Sequence, residues 1–149
     1  MTNFTRDSEW LEQVPAEIQQ DTLWAMQVYR DSLFDADLAW RDLGLLSNSS
    51  GTRDLSDQLY RAVCSESANI AEGFSRGSGK DRVRFYEYAL GSARESRDWY
   101  FKCRVVLGPT ISPHRIKLHT NIIKQLLAII PGQRSFTLKE NPAVYEVDS

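Results

Sequence analysis

The spacing of apolar residues is the feature that most restricts how this chain can fold. Four long segments carry an apolar residue at every third or fourth position, and short stretches rich in glycine, proline and serine separate them. This spacing places the apolar side chains on one face of an α-helix, whereas a half-buried β-strand requires strict alternation. The sequence therefore predicts an all-α protein, arranged as an antiparallel up-and-down four-helix bundle.

The breaks between the segments give the predicted helix bounds. The helices are expected at roughly 15–42, 54–77, 79–107 and 113–130, with an irregular tail over 131–149, all in a single domain covering residues 1–149. Pro15 suits a first helical turn, because the N–H that proline lacks would be unpaired there. The other predicted starts are Asp54 as an N-cap, Ser78 in a capping box with Asp81, and the pair Ser112-Pro113.

The third helix has the most regular spacing, alternating between four and three residues as in closely packed helices. Its predicted core face comprises Phe85, Ala89, Ser92, Ser96, Trp99, Cys103 and Val106. The predicted core face of the first helix comprises Ile18, Ala25, Tyr29, Leu33, Ala36, Trp40 and Leu43. We also expect Phe85, Leu90, Ile123 and Leu126 to be largely buried.

Charge and cysteine content exclude several classes of protein. A net charge of −2 gives no overall basic signature of a nucleic-acid-binding protein. Cys64 and Cys103 lack C-x-x-C spacing and lie in helical segments, so we expect two reduced, buried thiols. No apolar run resembles a signal peptide or approaches the roughly 18 residues of a membrane span. These features predict a cytoplasmic protein with no membrane partner.

A glycine-rich stretch between the second and third helices superficially resembles a phosphate-binding loop. Five residues separate Gly73 from the pair Gly79-Lys80, where a P-loop has four, and Asp81 stands where the magnesium-binding hydroxyl belongs. No strand precedes the stretch. We therefore interpret it as a helix–turn–helix joint.

The histidines and carboxylates give no predicted catalytic or metal centre. His114 and His119 are five residues apart and point in different directions on a helix, and neither has an acidic residue three positions upstream. We place His119 near the core edge. Glu72, Glu87 and Glu95 could form a carboxylate group, but polar contacts of Glu72 and Glu95 with Arg76, Asn69 or Ser92 are the favoured interpretation. We expect no enzyme activity, cofactor, metal or small-molecule substrate.

One segment carries a family resemblance. The run Asn69-Ile70-Ala71-Glu72-Gly73, with Gly77-Ser78 downstream and then Ser92 and Glu95, resembles the four-helix bundle family also called the 23S rRNA intervening-sequence (S23) proteins. The resemblance implies an antiparallel bundle without enzyme activity that assembles as a ring-like homo-oligomer, a pentamer. It also implies a relation to the accessory variability proteins of diversity-generating retroelements, which bind nucleic acid. Asn69, Glu72, Gly73, Ser92 and Glu95 are the structural motif.

The chain departs from the family pattern in the second helix. It has Ser65-Glu66-Ser67 where the family usually has Ser-Ile-Pro, so the second helix should be straighter. Glu66 replaces an apolar residue, and we expect it either to face solvent or to pair across a subunit contact. Ser96 and Trp99 replace residues that are commonly leucine.

Charge is divided unevenly along the chain. Residues 1–73 hold five arginines and 13 acidic residues, a formal charge of −8, whereas residues 74–149 carry +6. Three readings remain open: acidic and basic surfaces of neighbouring subunits meet, the basic joint binds RNA or DNA weakly, or the charges are only solvated. The candidate nucleic-acid-binding residues are Arg76, Lys80, Arg82 and Arg84. Candidate anchors for self-assembly are Trp10, Trp24 and Trp40.

Overall fold

The computed structural model describes residues 8–48 and 50–136, and in these ranges the regular structure is helical, without a β-strand. The all-α prediction is therefore confirmed. The α-helices are α1 (Ser8–Gln13), α2 (Ala16–Gln19), α3 (Gln27–Leu46), α4 (Arg53–Phe74), α5 (Gly79–Lys102) and α6 (Arg104–Ile129). Short 3₁₀-helices occupy Thr22–Ala25 and Ile130–Gln133. None of the described helices is both long enough and apolar enough to cross a membrane.

The four long helices pack through matching buried stripes. Helices that follow one another along the chain are in contact, and α3 also contacts α6. In each stripe the spacing alternates between three and four residues, as in knobs-into-holes packing. The stripes are Val28, Ser32, Asp35, Ala39, Asp42 and Leu46 on α3; Ser56, Leu59, Val63, Glu66, Ile70 and Gly73 on α4; Arg82, Tyr86, Ala89, Ala93, Ser96 and Tyr100 on α5; and Ser112, Arg115, His119, Ile122 and Leu126 on α6.

Two apolar clusters occupy the core between these helices. The first joins the beginning of α3 and of α5 to the end of α4 and of α6, and contains Val28, Ile70, Tyr86, Ala89, Ala93, Ile122, Ile123 and Leu126. The second joins the end of α3 and of α5 to the beginning of α4 and of α6, and contains Ala39, Leu46, Leu59, Val63, Tyr100, Cys103 and Leu107. The two clusters therefore lie at opposite ends of the packed helices.

The residues before α3 cover one side of it. Trp10 is buried against Phe34, with ring centroids 5.3 Å apart, and stacks on Trp24 at 6.2 Å. The indole Nε1 of Trp10 donates a hydrogen bond to Asp37 Oδ2 at 2.6 Å. This third cluster ties α1 and the 3₁₀-helix Thr22–Ala25 to the long helices.

The predicted continuous helix over 15–42 is wrong. Pro15 is the N-cap of the four-residue helix α2, and regular α-helix resumes only at Gln27. Between them, the carboxylate of Asp21 accepts a hydrogen bond from the Leu23 N–H at 2.8 Å and starts a 3₁₀-helix instead. Met26 then has an extended backbone (ψ 114°), which separates the 3₁₀-helix from α3.

The second and third helices begin close to their predicted positions and end three to five residues earlier. Thr52 is the N-cap of α4, not Asp54, and its hydroxyl bonds the Leu46 carbonyl. Ser78 caps α5 as predicted, accepting a hydrogen bond from the Asp81 N–H at 3.3 Å. Helix α4 ends at Phe74 rather than 77, and α5 ends at Lys102 rather than 107.

The predicted start of the fourth helix at Ser112-Pro113 is also wrong. Helical structure resumes at Arg104 directly after Cys103, and a kink at Gly108 (φ 83°, ψ 176°) divides the first turn from the rest. The positive φ favours glycine at this position. Ser112 is not an N-cap, because its hydroxyl donates a buried hydrogen bond of 2.6 Å to the Tyr100 carbonyl oxygen and ties α6 to the end of α5.

The predicted core faces are displaced by one residue over much of their length. Ala89 and Ser96 on α5, and Cys103 just after it, are buried as predicted, but Tyr86, Ala93 and Tyr100 are buried in place of Phe85, Ser92 and Trp99. On α3 the predicted core residue Trp40 is 65% exposed. Ile123 and Leu126 are buried as expected, whereas Phe85 and Leu90 are only half-buried.

Candidate functional site

A layer of polar side chains crosses the core between the two apolar clusters. Each long helix contributes one fully buried residue near its middle: Asp35 from α3, Glu66 from α4, Ser96 from α5 and His119 from α6. All four occupy positions of the buried stripes, where apolar residues would be the ordinary choice. A buried polar group must find partners, so the arrangement within this polar layer decides its chemistry.

The imidazole of His119 is the centre of the polar layer. Its Nδ1 lies 2.8 Å from the Arg115 carbonyl oxygen, and because a carbonyl can only accept, Nδ1 carries a hydrogen and donates it. Its Nε2 faces two carboxylates, 2.5 Å from Asp35 Oδ2 and 3.1 Å from Glu66 Oε1. The backbone of α6 therefore fixes the ring with Nε2 aimed between the acids.

Burial and neighbouring charges shift the pKa values of Glu66 and His119 in the same direction, upward. Burial raises the pKa of Glu66 to about 7, with the nearby His119 lowering it and Asp35 raising it further. Burial disfavours the charged form of His119, but the two carboxylates outweigh that effect and hold the pKa of His119 well above its ordinary value. Glu66 and His119 therefore retain protons at pH values where the same groups would lose them in water.

A second buried polar group lies next to this layer, toward the second apolar cluster. Arg115 Nε and Nη2 donate to Asp42 Oδ2 at 2.8 Å and Oδ1 at 3.0 Å, so the ion pair is two-pronged. The Tyr100 hydroxyl also donates to Asp42 Oδ2, at 2.8 Å. Burial, and then the negative charge of Asp42, raise the pKa of Tyr100 well above its ordinary value. This group joins α3, α5 and α6.

The polar layer offers the donor set of a metal centre. One potential ligand atom from each of Asp35, Glu66 and His119 lies within 4.8 Å of the others, and all three residues are buried. The sequence predicts His119 near the core edge, whereas its side chain is completely buried. The prediction failed because the acidic partners of His119 come from other helices, 84 and 53 residues earlier in the chain.

The candidate nucleic-acid-binding residues are not brought together as a free basic surface. Arg82 is buried, donates to the Phe74 carbonyl oxygen at 2.6 Å, and lies over the Phe136 ring at 3.3 Å. Arg76 pairs with Glu72 at 3.1 Å, and Arg84 lies 3.8 Å from Asp81. Lys80 is exposed and lines a surface hollow with Val83 and Arg134. Arg82 is therefore a structural residue.

The residues of the Asn69 motif lie mostly outside the core. Glu72 and Glu95 are exposed, pairing with Arg76 and with the Trp99 indole N–H at 3.2 Å respectively, so they do not form a carboxylate group. The Asn69 amide donates to the Ser65 carbonyl oxygen, and the Ser92 hydroxyl to the Tyr88 carbonyl oxygen.

Gly73 is the buried member of this motif. A Cβ there would lie 2.7 Å from Tyr86 Cε1. Gly73 therefore allows Tyr86, the ring that replaces Phe85 in the core, to pack against α4.

Glu66 contradicts both expectations for the departure from the family pattern. Its side chain neither faces solvent nor is open to a neighbouring subunit, because it is fully buried within this chain beside His119. A fully buried acid becomes tolerable when a basic partner and a raised pKa reduce its charge. The spacing of these residues could have revealed the site. Asp35, Asp42, Glu66 and Arg115 all fit the repeat of three and four residues that forms the core faces, although their polarity suggests an exposed position.

The two cysteines differ in burial, and one apolar residue of the C-terminal segment contacts α5. Cys103 is buried and Cys64 is half-buried, and both are free thiols. Phe136 docks on α5, its carbonyl accepting a hydrogen bond from the Gly79 N–H at 3.1 Å. The other apolar tail residues, Leu138, Val144, Tyr145 and Val147, lie outside the described residues.

The fold and its core define an all-helical protein with a polar layer between two apolar clusters. The chain belongs to the 23S rRNA-intervening sequence protein family, whose model matches residues 27–131. It is also similar to a solved protein of unknown function from the S23 ribosomal protein family of Bacteroides thetaiotaomicron VPI-5482, with 27% identity and a TM-score of 0.64. That similarity covers 69% of this chain and 97% of the other. A comparison with curated proteins gave no match.

Proposed function

We propose that this protein is a non-enzymatic, self-assembling bundle whose four long helices run antiparallel, up and down. The composition of the two apolar clusters supports this arrangement, since each joins the beginnings of two long helices to the ends of the other two. The burial of the polar layer supports a non-enzymatic role: His119, Asp35 and Glu66 are at most 1% exposed, so a substrate could not reach them without opening the core.

The observation that carries self-assembly is a set of exposed apolar residues toward one end of the long helices. We call it the assembly surface and define it as Trp40, Leu45, Phe101, Val105 and Val106, which are 38–85% exposed. Three of them, Leu45, Phe101 and Val106, are next in sequence to members of the second apolar cluster, so they lie near that end of the core. A contiguous patch of exposed apolar residues marks protein–protein contacts, and we propose that these five residues form one.

Of the three candidate tryptophan anchors, Trp40 is available. Trp10 is buried in the third cluster and Trp24 is half-buried there. The Trp40 ring packs against Tyr60 of α4, with ring centroids 5.5 Å apart, and most of the Trp40 side chain remains exposed to solvent. A large aromatic side chain with a supported ring is the usual form of an interface hot spot.

The charge division supports a head-to-tail contact, although it is smaller at the surface than in the sequence. Without the buried Asp35, Asp42 and Glu66, the −8 of residues 1–73 becomes −5; without the buried Arg82 and Arg115, the +6 of residues 74–149 becomes +4. A two-fold contact would set like surfaces together, whereas a head-to-tail contact sets acidic against basic and can close a ring. We propose such a ring, a pentamer in line with the family resemblance.

Size-exclusion chromatography with light scattering tests this proposal, because it measures the mass of the assembled protein. At micromolar concentration and moderate salt the protein should have the mass of several subunits. The double variant Trp40→Ser with Phe101→Ser should dissociate it, whereas the matched control Leu127→Ser, an exposed leucine at the other end of α6, should not. A monomeric wild type would contradict self-assembly, and a two-fold dimer would contradict the head-to-tail geometry.

A second candidate function is weak nucleic-acid binding, the activity that the resemblance to retroelement accessory proteins suggests. Its support is that Lys80 and Arg134 line the same surface hollow next to the helix α4–α5 joint. Two to four cationic contacts would give affinity that falls steeply with salt. In a fluorescence anisotropy titration with single-stranded RNA, Lys80→Glu with Arg134→Glu should abolish binding. Nanomolar, salt-insensitive binding would instead favour this function over self-assembly.

A further inference from the structure

The carboxylates of the polar layer have more acceptor atoms than the surrounding donors can satisfy. Nδ1 of His119 is already committed to the Arg115 carbonyl oxygen, so the ring can offer at most one N–H to Asp35 and Glu66 together. The Ser96 hydroxyl donates to the Ser92 carbonyl oxygen at 2.8 Å. Asp35 Oδ1 is buried with no hydrogen-bond donor among the described residues, and the donors beside the Glu66 carboxyl are His119 and the Ser96 hydroxyl, which is already engaged with Ser92. Unpaired buried carboxylate oxygens are strongly disfavoured, and a cation would relieve them.

The three side chains are already close to the spacing that one small ion requires. Bonds of about 2.0–2.2 Å at tetrahedral angles put ligand atoms of one zinc ion about 3.3 Å apart. Nε2 of His119 is 3.1 Å from Glu66 Oε1, and its 2.5 Å separation from Asp35 Oδ2 would need to open by about 0.8 Å. The potential ligand atoms of all three residues lie within 4.8 Å of one another. We propose that Asp35, Glu66 and His119 bind a divalent metal ion, best matched by Zn²⁺, inside the core.

The orientation of His119 is the one that a metal ligand needs. In metal sites the ligating histidine donates its other ring N–H to a carbonyl or carboxylate, which leaves the lone pair of the ligating nitrogen facing the ion. The hydrogen bond from His119 Nδ1 to the Arg115 carbonyl oxygen has this form, and Nε2 points between the two acids. Two carboxylates and a neutral imidazole would neutralise a 2+ ion.

The closed surroundings select among divalent ions. Mg²⁺ and Ca²⁺ require six or more oxygen ligands, and Mg²⁺ keeps several waters, which suits an open site better than this core. Zn²⁺ is content with four ligands in tetrahedral geometry, and histidine nitrogen and carboxylate oxygen are among the ligands it takes. With His119, Asp35 and Glu66 as three ligands, the second oxygen of either carboxylate can serve as the fourth.

Zinc titration of the full chain tests this inference. Because the site is buried, the protein should be dialysed against EDTA and refolded from urea with and without Zn²⁺. We expect one tightly held zinc per chain, and a melting temperature raised by about 5–10 °C when free zinc is 100-fold above its dissociation constant. Glu66→Gln, which keeps the side-chain volume, should lose both effects, whereas the matched control Glu72→Gln on the surface of the same helix should keep them.

X-ray absorption at the zinc edge gives a second, independent measurement on the wild type. The expected spectrum contains one nitrogen and two or three oxygen ligands and no sulfur. Sulfur ligands would place the ion at Cys64 or Cys103 and overturn the inference. So would a wild type whose melting temperature ignores zinc, or a Glu66→Gln variant that binds as well as Glu72→Gln.

Discussion

Arg115 of α6 holds Asp42 of α3 through two parallel hydrogen bonds, 2.8 and 3.0 Å long, with both side chains only 3% exposed. The Tyr100 hydroxyl completes the arrangement from α5. The first and last long helices are thus joined by charges that water does not reach. Such a pair is costly to break from one side, because the remaining charge is left buried and alone.

The first prediction follows from this pair. Asp42→Ala should lower the free energy of unfolding by about 3–5 kcal/mol, since the Arg115 guanidinium would remain buried without its partner. Urea denaturation followed by circular dichroism measures this change. Replacing both charges, as in Asp42→Leu with Arg115→Met, should recover a large part of the loss.

The matched control for that experiment is Asp98→Ala. Asp98 pairs with Lys102 at 2.6 Å, but both side chains are about half exposed. An exposed pair contributes about 0–1 kcal/mol, so this variant should denature almost as the wild type does. Equal losses for the two variants would show that the Asp42 pair is solvated in solution.

A second prediction concerns the contact between α4 and α5 at Gly73. Gly73→Ala should destabilise the protein by about 1–3 kcal/mol, because the added methyl group would lie within 3 Å of the buried Tyr86 ring. Gly91→Ala on α5 is the matched control: nothing lies within 4 Å of its Cβ, and alanine is the better helix former by about 1 kcal/mol. Thermal melts should therefore shift in opposite directions for the two glycines.

The third prediction is a loss of stability with rising pH in EDTA-dialysed protein. The pKa of Glu66 in the folded chain is about 7, above the ordinary 4.5, and His119 is also shifted upward. Between pH 4.5 and 7 the folded state keeps the Glu66 proton while the unfolded chain releases it. The associated stability is therefore complete below pH 4.5 and lost as the pH rises toward 7, by up to about 3 kcal/mol.

Urea midpoints at pH 5, 6, 7 and 8 check the pH prediction. Asp35 faces the same space from α3 and His119 from α6, so the profile belongs to the group as a whole. Glu66→Gln carries no titrating proton and should flatten the slope between pH 5 and 7. A wild-type stability that rises over this interval would contradict the prediction.

The fourth prediction separates two leucines of the core. Leu126 is fully buried in the first cluster, and Leu126→Ala should cost about 2–5 kcal/mol through lost burial and a residual cavity. Leu90 lies at the edge of the same cluster and is only half-buried, so Leu90→Ala should cost about 1–2 kcal/mol. The order of the two denaturation midpoints distinguishes the observed facing of α5 from the one expected from apolar spacing.

The helical class and the helix bounds near Ser78 follow from sequence because they depend on local signals. A side chain that caps its own helix, such as Ser78, needs no information from elsewhere in the chain. The break at Asp21 was missed because an aspartate is a weak breaker by itself, and its carboxylate cap on Leu23 competes with helix continuation only in this context.

The polar layer could not be located by the same reasoning, because apolar spacing was used to choose the buried face. On α3 and α5 the correct face differs from the expected one by a single residue, and it includes the polar Asp35, Asp42 and Arg82. These residues are acceptable in the core only because their partners arrive from other helices. The partners are far apart in the sequence. Asp35 and His119 are separated by 84 positions, although Asp35 Oδ2 lies 2.5 Å from His119 Nε2.

The long separation between Asp42 and Arg115 along the chain also has a consequence for folding during synthesis. Arg115 is synthesised 73 residues after Asp42, and at about 5–20 residues per second the ribosome needs about 4–15 s to cover that distance. During this interval α3, α4 and α5 can contact one another. The basic residues of α6 that pair with their buried acids, Arg115 and His119, have not yet been synthesised. Closing the three helices before α6 emerges would bury these acids without a basic partner, which is strongly disfavoured. We therefore expect stable packing of this core only after α6 has been synthesised.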